Sequence, residues 1–293
     1  MQSTLFTTVL LPLALAIVML GMGLGLVPED FRRIGRDPKA VAVGTVAQVV
    51  LLPLIGAWIV WMVPMPPPIA VGLMVLAICP AGPSSNLITY LARGDVALSV
   101  TLTAISSLIT VVTIPILANQ SLRMLMGSQA SIRLPIGPTM LGILLITLVP
   151  VAIGMGLRQR FPGPAQRLEK QVSRLAAGLL ALIILLLLIQ EGHRLPDFLM
   201  KVGLAVVLLN GLGSLTGYLA GRLAGLPPRQ RICLGIEVGI QNCALAIAIT
   251  AGLMREPEMA VPAAVYGLWM NLAGLGMVWL GRRAIPRGRI APL

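Results

Sequence analysis

Charge is what this 293-residue chain has least of for its size. Only 11% of its residues are charged and 57% are hydrophobic, where a soluble domain carries about 25% charged residues. With a mean hydropathy of +0.93, this excludes a water-soluble globular domain and leaves an integral membrane protein. Histidine is nearly missing. The single His193 sits beside Glu191 in a predicted outside loop, so no imidazole remains in the apolar runs for acid–base or metal chemistry. Only one acidic residue, Glu237, falls deep in an apolar run, where a Mg²⁺-dependent prenyl-type enzyme would need clustered carboxylates. The three cysteines, Cys79, Cys233 and Cys243, all fall in apolar segments and imply no disulfide framework. Aromatic residues, at 4%, offer no stacking surface that would name a ligand. No basic stretch precedes the first apolar run, which continues to Leu26, so it reads as a span and not as a cleaved signal.

What is present is a series of apolar runs near 20 residues, the length that crosses a bilayer. Nine spans are predicted, at 4–26, 39–62, 69–92, 96–118, 136–157, 173–190, 198–221, 230–253 and 260–281. The net charge of +12 sorts with them. With the N-terminus outside, 17 of the 22 Lys and Arg residues fall in inside segments. That asymmetry supports nine spans with a cytoplasmic C-terminus, and makes the charge topological, not a nucleic-acid footprint. Minimal loops suggest a bacterial inner membrane. Gly213, Gly217, Gly221 and Gly225 recur every four residues and predict a smooth packing stripe on the seventh span, as Gly21, Gly23 and Gly25 do on the first.

Two spans are interrupted. Cys79-Pro80-Ala81-Gly82-Pro83-Ser84-Ser85-Asn86 places two prolines and a glycine in four residues inside the third span, where an α-helix cannot continue. Glu237-Val238-Gly239-Ile240-Gln241-Asn242 loads the eighth with polar groups. The two lie in corresponding positions of halves that run in opposite directions, spans 1–4 against spans 6–9. Such a pair is the strongest sequence pointer to a transporter's binding site.

Glu237 is the one carboxylate predicted deep in a span, and an intramembrane ionisable residue is a functional candidate by default. Gln241 lies one helical turn on and Asn242 follows it. Ser85 and Asn86 lie at the other break. Ser99 and Thr103 share a face of the fourth span. Gln48 is mid-span, and Pro53 withholds the helical donor from the carbonyl of Val49. These are oxygen ligands, mostly neutral, with one negative charge. Such a set suits a hard cation such as Na⁺ better than zinc or copper.

The two interrupted segments, the run Tyr90-Leu91-Ala92-Arg93-Gly94-Asp95-Val96-Ala97-Leu98-Ser99-Val100, and the shorter Gly21-Met22-Gly23-Leu24 and Ala47-Gln48 closely resemble the bile acid:sodium symporter family. The likeness covers nearly the whole chain. It implies an all-α polytopic membrane protein with inverted repeats, a panel domain and a core domain, and two broken helices crossing in the core. Residues 1–26 and 136–190 would form the panel, 39–118 and 198–282 the core, and 283–293 a cytoplasmic tail. The resemblance also implies two Na⁺ sites. One would use Ser85, Asn86, Ser99, Thr103 and Glu237; the other would use Gln48, Glu237 and Gln241 with backbone carbonyls near Val238 and Ile240. Pro83, Ser84, Asn242, Met270 and Asn271 are candidate substrate positions. Pro83 stands where some relatives carry threonine, and Met270 where some carry histidine, so the ligand of familiar relatives does not transfer.

The expected function is Na⁺-coupled symport of a small organic anion, either bile-acid-like or a small carboxylate such as pantoate or a 2-oxo acid. Three alternatives stand beside it. A proton-coupled carrier would use Glu237 as its proton site, and an intramembrane enzyme would use it as an acid or base. A channel would need a continuous polar lining.

Overall fold

A computed structural model describes residues 11–27, 37–127, 136–165 and 195–285, with Gly35 and a few positions between 167 and 178. The span read at 173–190, the start of the span at 4–26, His193 and most of the tail at 283–293 lie outside the described residues.

The helices are α1 (Leu11–Gly25), α2 (Pro38–Met62), α3 (Pro67–Ile78), α4 (Ser84–Leu91), α5 (Val96–Met126), α6 (Gly137–Arg160), α7 (Leu195–Leu223), α8 (Pro228–Gly239), α9 (Cys243–Leu253) and α10 (Val261–Ala284). Among the described residues the only extended pairing is a single antiparallel bridge between Ala81 and Gln241. Among the described residues, five helical stretches are long and apolar enough to cross a membrane: Pro38–Met62, Val96–Met126, Gly137–Arg160, Val202–Leu223 and Pro257–Ala284. The third and eighth spans read from the sequence are each two helices, α3 with α4 and α8 with α9.

The helices wear their polarity inside out. On α5 the exposed residues Leu108, Val112 and Ile116 recur every four residues, while Ser99, Thr103, Ser106, Ser107 and Thr110 are buried. Trp58 and Trp61 of α2 and Leu272 and Leu275 of α10 are also exposed. Water would penalise this arrangement and hydrocarbon favours it. Three of these buried hydroxyls are satisfied within their own helix. Ser106 and Ser107 donate to the carbonyl of Thr103 at 3.1 and 2.7 Å, and Thr110 donates to Ser107 at 3.1 Å.

Helix irregularities have local causes. Backbone widens to a π turn at Ala47–Leu51 and again at Leu144–Leu148, immediately before Pro53 and Pro150, which cannot donate an N–H. In the first of these the N–H of Leu52 reaches back to the carbonyl of Ala47. The bonding is thus shifted by one residue around the proline.

Glycines set the closest helix contacts. A Cβ on Gly213 would lie 2.9 Å from the carbonyl oxygen of Val238, and one on Gly217 would collide with the carbonyl of Leu234. The backbones of α7 and α8 are therefore in direct contact. Gly225, read as the end of this stripe, does something else. It has φ +70° with nothing near its missing side chain, and it ends α7 in a left-handed cap. On the other side of the molecule α1 packs on α6, where a Cβ on Gly154 would lie 2.6 Å from the carbonyl oxygen of Leu20. This pair meets the remaining helices chiefly at α5 and at a third π turn, Ala248–Leu253 in α9.

The α7–α8 contact predicts that Gly217→Ala lowers stability by roughly 1–3 kcal/mol through overpacking. Gly156→Ala, on an exposed helical position with open space around it, should leave stability unchanged or raise it by up to about 1 kcal/mol. Thermal unfolding of the detergent-purified variants measures both.

Candidate functional site

The two broken helices meet at their breaks. After Ile78 the chain turns extended at Cys79 (φ −70°, ψ 156°) and resumes as helix at Ser84. After Gly239 it is extended at Ile240 (φ −109°, ψ 105°) and resumes at Cys243. The N–H of Gly82 donates to the carbonyl of Ile240 at 3.1 Å, and the N–H of Asn242 donates to that of Pro80 at 3.0 Å. Each break supplies partners for the other, which meets the requirement that backbone polar groups be paired at bilayer depth. Glycine is required at Gly82, where a Cβ would lie 2.8 Å from the carbonyl oxygen of Gln241.

Two polar side chains that sequence reasoning missed complete the crossover. The carbonyl of Gly239, freed by the break, accepts from the Asn210 amide and from the Tyr266 hydroxyl, both at 2.6 Å. Both residues are buried. Their signal in the sequence is a hydrogen-bonding side chain in the middle of a span, the same signal that drew attention to Gln48.

Glu237 lies at the centre of the polar groups, with 2% of its surface exposed. Its Oε1 accepts from the Ser85 hydroxyl at 2.5 Å and from that of Ser99, and its Oε2 accepts from Thr103 at 2.9 Å. Ser99 also points its hydroxyl at Oδ1 of Asn86, 2.8 Å away, and Thr103 at the carbonyl of Ser99, 3.0 Å away. Three hydroxyl protons thus face five acceptor contacts. Lone pairs outnumber protons inside a buried cluster, and a cation relieves that imbalance in a way that a further hydroxyl does not. The residues come from α4 (Ser85, Asn86), α5 (Ser99, Thr103) and α8 (Glu237), so the cluster forms only when these three helices are assembled.

A second group adjoins it. Gln48 donates its amide to the carbonyl of Cys79 at 3.1 Å and to Oε1 of Gln241 at 2.9 Å, while Gln241 donates to the carbonyl of Val238 at 2.8 Å. The Oε1 of Gln48 is buried and has no partner, a condition it shares among the described residues only with Thr89 Oγ1 and Trp269 Nε1. A buried unpartnered oxygen costs about 1–3 kcal/mol, and here it sits beside further oxygens. The carbonyl of Ile240 is engaged by Gly82. The ligand candidates for a second cation are therefore gathered, with Gln48 Oε1 as the unsatisfied member.

The substrate candidates are less gathered. Pro83 and Ser84 form the half-buried start of α4. Asn242 is buried and caps α9, its Oδ1 accepting from the N–H of Leu245 at 3.0 Å. Met270 is buried with its sulfur 3.8 Å from that of Cys243, which puts it against the crossover. Asn271, one residue on, is exposed and donates to the carbonyl of Gly267 in its own helix at 2.6 Å.

Comparison with known proteins agrees with this geometry. Residues 12–197 match the model of the sodium bile acid symporter family. The chain belongs to that family. It is 33% identical over 271 residues to the sodium-dependent transporter YocS of Bacillus subtilis, covering 89% of this chain and 79% of that protein. Identity is 31% over 277 residues to the probable sodium/metabolite cotransporter BASS1 of Arabidopsis thaliana chloroplasts, covering 93% of this chain and 67% of the relative. It is 31% over 262 residues to the human ileal sodium/bile acid cotransporter, covering 88% and 73%. These relatives are transporters, so the intramembrane-enzyme alternative raised by Glu237 is set aside.

Within this family member the Gly239 carbonyl provides a direct test of the crossover. Tyr266→Phe removes one of its two donors and should cost about 1 kcal/mol. Adding Asn210→Ala strands the carbonyl and should cost more than the two single changes together. Unfolding midpoints of the two single variants and the double variant measure the coupling.

Proposed function

We propose that this chain is a secondary transporter that couples inward Na⁺ movement to uptake of a small organic anion across a bacterial inner membrane, with the N-terminus outside and the C-terminus cytoplasmic. The observation that carries the reading is the convergence of Ser85, Ser99 and Thr103 on Glu237, with Asn86 facing Ser99, next to the unpartnered Oε1 of Gln48. Na⁺ is cargo here. One ion would take the Glu237 cluster, and a second would take Gln48, Gln241, Glu237 and the carbonyls near Val238 and Ile240. Neutral oxygens and one carboxylate suit a monovalent hard cation.

Two Na⁺ against one carboxylate leave one positive charge in excess. A monoanionic substrate beside the crossover would balance it, so ion and substrate binding favour each other without a deep Lys or Arg. The N-terminal turn of α4, with Pro83 and Ser84, adds the partial positive charge of a helix start. Asn242, Met270 and Asn271 are the remaining substrate candidates. The names of relatives point to metabolites and bile acids, and a small carboxylate or a bile-acid-like anion is the monoanion proposed here. Alternating access would arise from a nine-span arrangement in which a panel of α1, α6 and the segment 173–190 moves against a core of the other helices. The close α1–α6 packing, with little contact elsewhere, supports that division.

The test needs no substrate. Thermal unfolding of detergent-purified protein is followed in NaCl and in KCl at equal ionic strength, for wild type and Glu237→Gln. Na⁺ at ten times its Kd should stabilise wild type by about 1.4 kcal/mol, and Glu237→Gln should abolish the difference between the salts. Wild type unfolding identically in both salts would overturn the ion-site reading.

A further inference from the structure

The far end of α4 is built in an unusual way. Its last turn closes with the N–H of Arg93 on the carbonyl of Tyr90 at 3.1 Å and the N–H of Gly94 on that of Thr89 at 2.9 Å. This is the Schellman pattern, whose left-handed position is normally glycine. Helix α7 follows the rule: Gly225 holds φ +70°, the N–H of Gly225 bonds the carbonyl of Arg222, and the N–H of Leu226 bonds that of Gly221. In α4 the left-handed position is Arg93, with φ +61°. A side chain with a Cβ is strained there, and glycine stands one residue away. Nothing in the backbone asks for arginine, so the reason lies in its side chain.

That side chain leaves its own helix. Arg93 donates to the carbonyl of Ile285 at 2.9 Å and to that of Arg282 at 3.4 Å, in and just past the last turn of α10. In return Arg282 donates to the carbonyl of Leu91, the last residue of α4, at 3.0 Å. Each arginine caps the C-terminal carbonyls of the other's helix, where positive charge is favoured. Helix α8 is drawn into the same joint. Arg229 donates to the carbonyl of Arg93 at 3.2 Å, and the N–H of Asp95 donates to the carbonyl of Arg229 at 3.2 Å. Beneath the exchange the backbones touch, since a Cβ on Gly281 would collide with the carbonyl of Ala92.

We infer that Arg93 and Arg282 are positioning residues for the Glu237 ion cluster, acting through α4. This inference rests on the ion-site reading above. Helix α4 is two turns long. It carries Ser85 and Asn86 at one end and the arginine exchange at the other, about 12 Å away by helix rise. Glu237 stands on α8, which the exchange also holds through Arg229. With both ends of a rigid two-turn helix fixed, the Ser85 and Asn86 oxygens keep their register against Ser99 and Glu237. Releasing the inner end lets α4 rotate and pull those ligands off the carboxylate.

Arg93→Gly provides a discriminating variant, because glycine suits the left-handed turn better than arginine while it deletes the reach to α10. The experiment measures the NaCl concentration that half-saturates thermal stabilisation of the full-length purified protein, with choline chloride holding ionic strength constant. In choline alone Arg93→Gly should melt close to wild type, yet need about tenfold more Na⁺ for half-saturation, the low end of what loss of a supporting residue costs a metal site. Arg93→Lys should recover part of the affinity. Arg282→Ala, a change at an exposed position, should raise the requirement similarly, and the double variant should be no worse than the more severe single, since both arms hold one joint. Unchanged half-saturation in Arg93→Gly and Arg282→Ala, with wild type responding to Na⁺, would overturn this inference alone. A wild type indifferent to Na⁺ would remove the ion-site reading and this inference with it.

Discussion

The structure depends on how two interrupted backbones find hydrogen-bond partners where water cannot supply them. Each break exposes N–H and C=O groups that hydrocarbon would penalise by several kcal/mol apiece. The solution is mutual. Gly82 bonds Ile240, Asn242 bonds Pro80, and the Gly239 carbonyl is taken up by Asn210 and Tyr266. Because each break needs the other, the crossover forms as one unit, and every polar side chain near it inherits a fixed place. The Glu237 cluster is a consequence of that pairing: Ser85 and Asn86 begin the helix that leaves one break, and Glu237 ends the helix that enters the other.

Much of this was legible in the residues, for local reasons. Proline and glycine announce the first broken helix without any tertiary context, and the polar side chains crowded around Gly239 marked the second. A carboxylate in an apolar run also stands out unaided, and so did the hydroxyls and amides placed at matching positions around it. The structure gathers Ser85, Asn86, Ser99, Thr103, Gln48 and Gln241 around Glu237 and the crossover. What the sequence left hidden is of another kind. The pairing of Ala81 with Gln241 joins segments 160 positions apart, and neither segment encodes that register alone. Asn210 and Tyr266 look like ordinary span residues until the carbonyl they serve is known. Gly225 shared its spacing with three packing glycines, yet only its backbone angle separates a helix end from a contact surface. The direction of Asn271, turned onto its own helix beside the inward Met270, depends on how α10 is rotated in the bundle, which periodicity over a mostly apolar helix does not fix.

Under the proposed reading, the architecture separates the ion ligands from the substrate candidates. The ligands of the Glu237 cluster are tied to the helix framework from three sides. Met270 meets the crossover through its sulfur at Cys243, and Asn271 bonds within its own helix. On that reading, cargo preference can drift while the driving ion stays the same.

The buried hydroxyls of α5 carry one more consequence. Ser106, Ser107 and Thr110 each give their single proton to a carbonyl of their own helix, so toward the interior they offer only lone pairs. A row of serines and threonines used this way behaves like a row of carbonyls: it can accept but not donate. Its electrostatic face is negative without any formal charge, and it extends along α5 from the single carboxylate. Under the transport reading proposed above, a face of this kind would favour a cation over a chloride ion before any ligand cage closed around it.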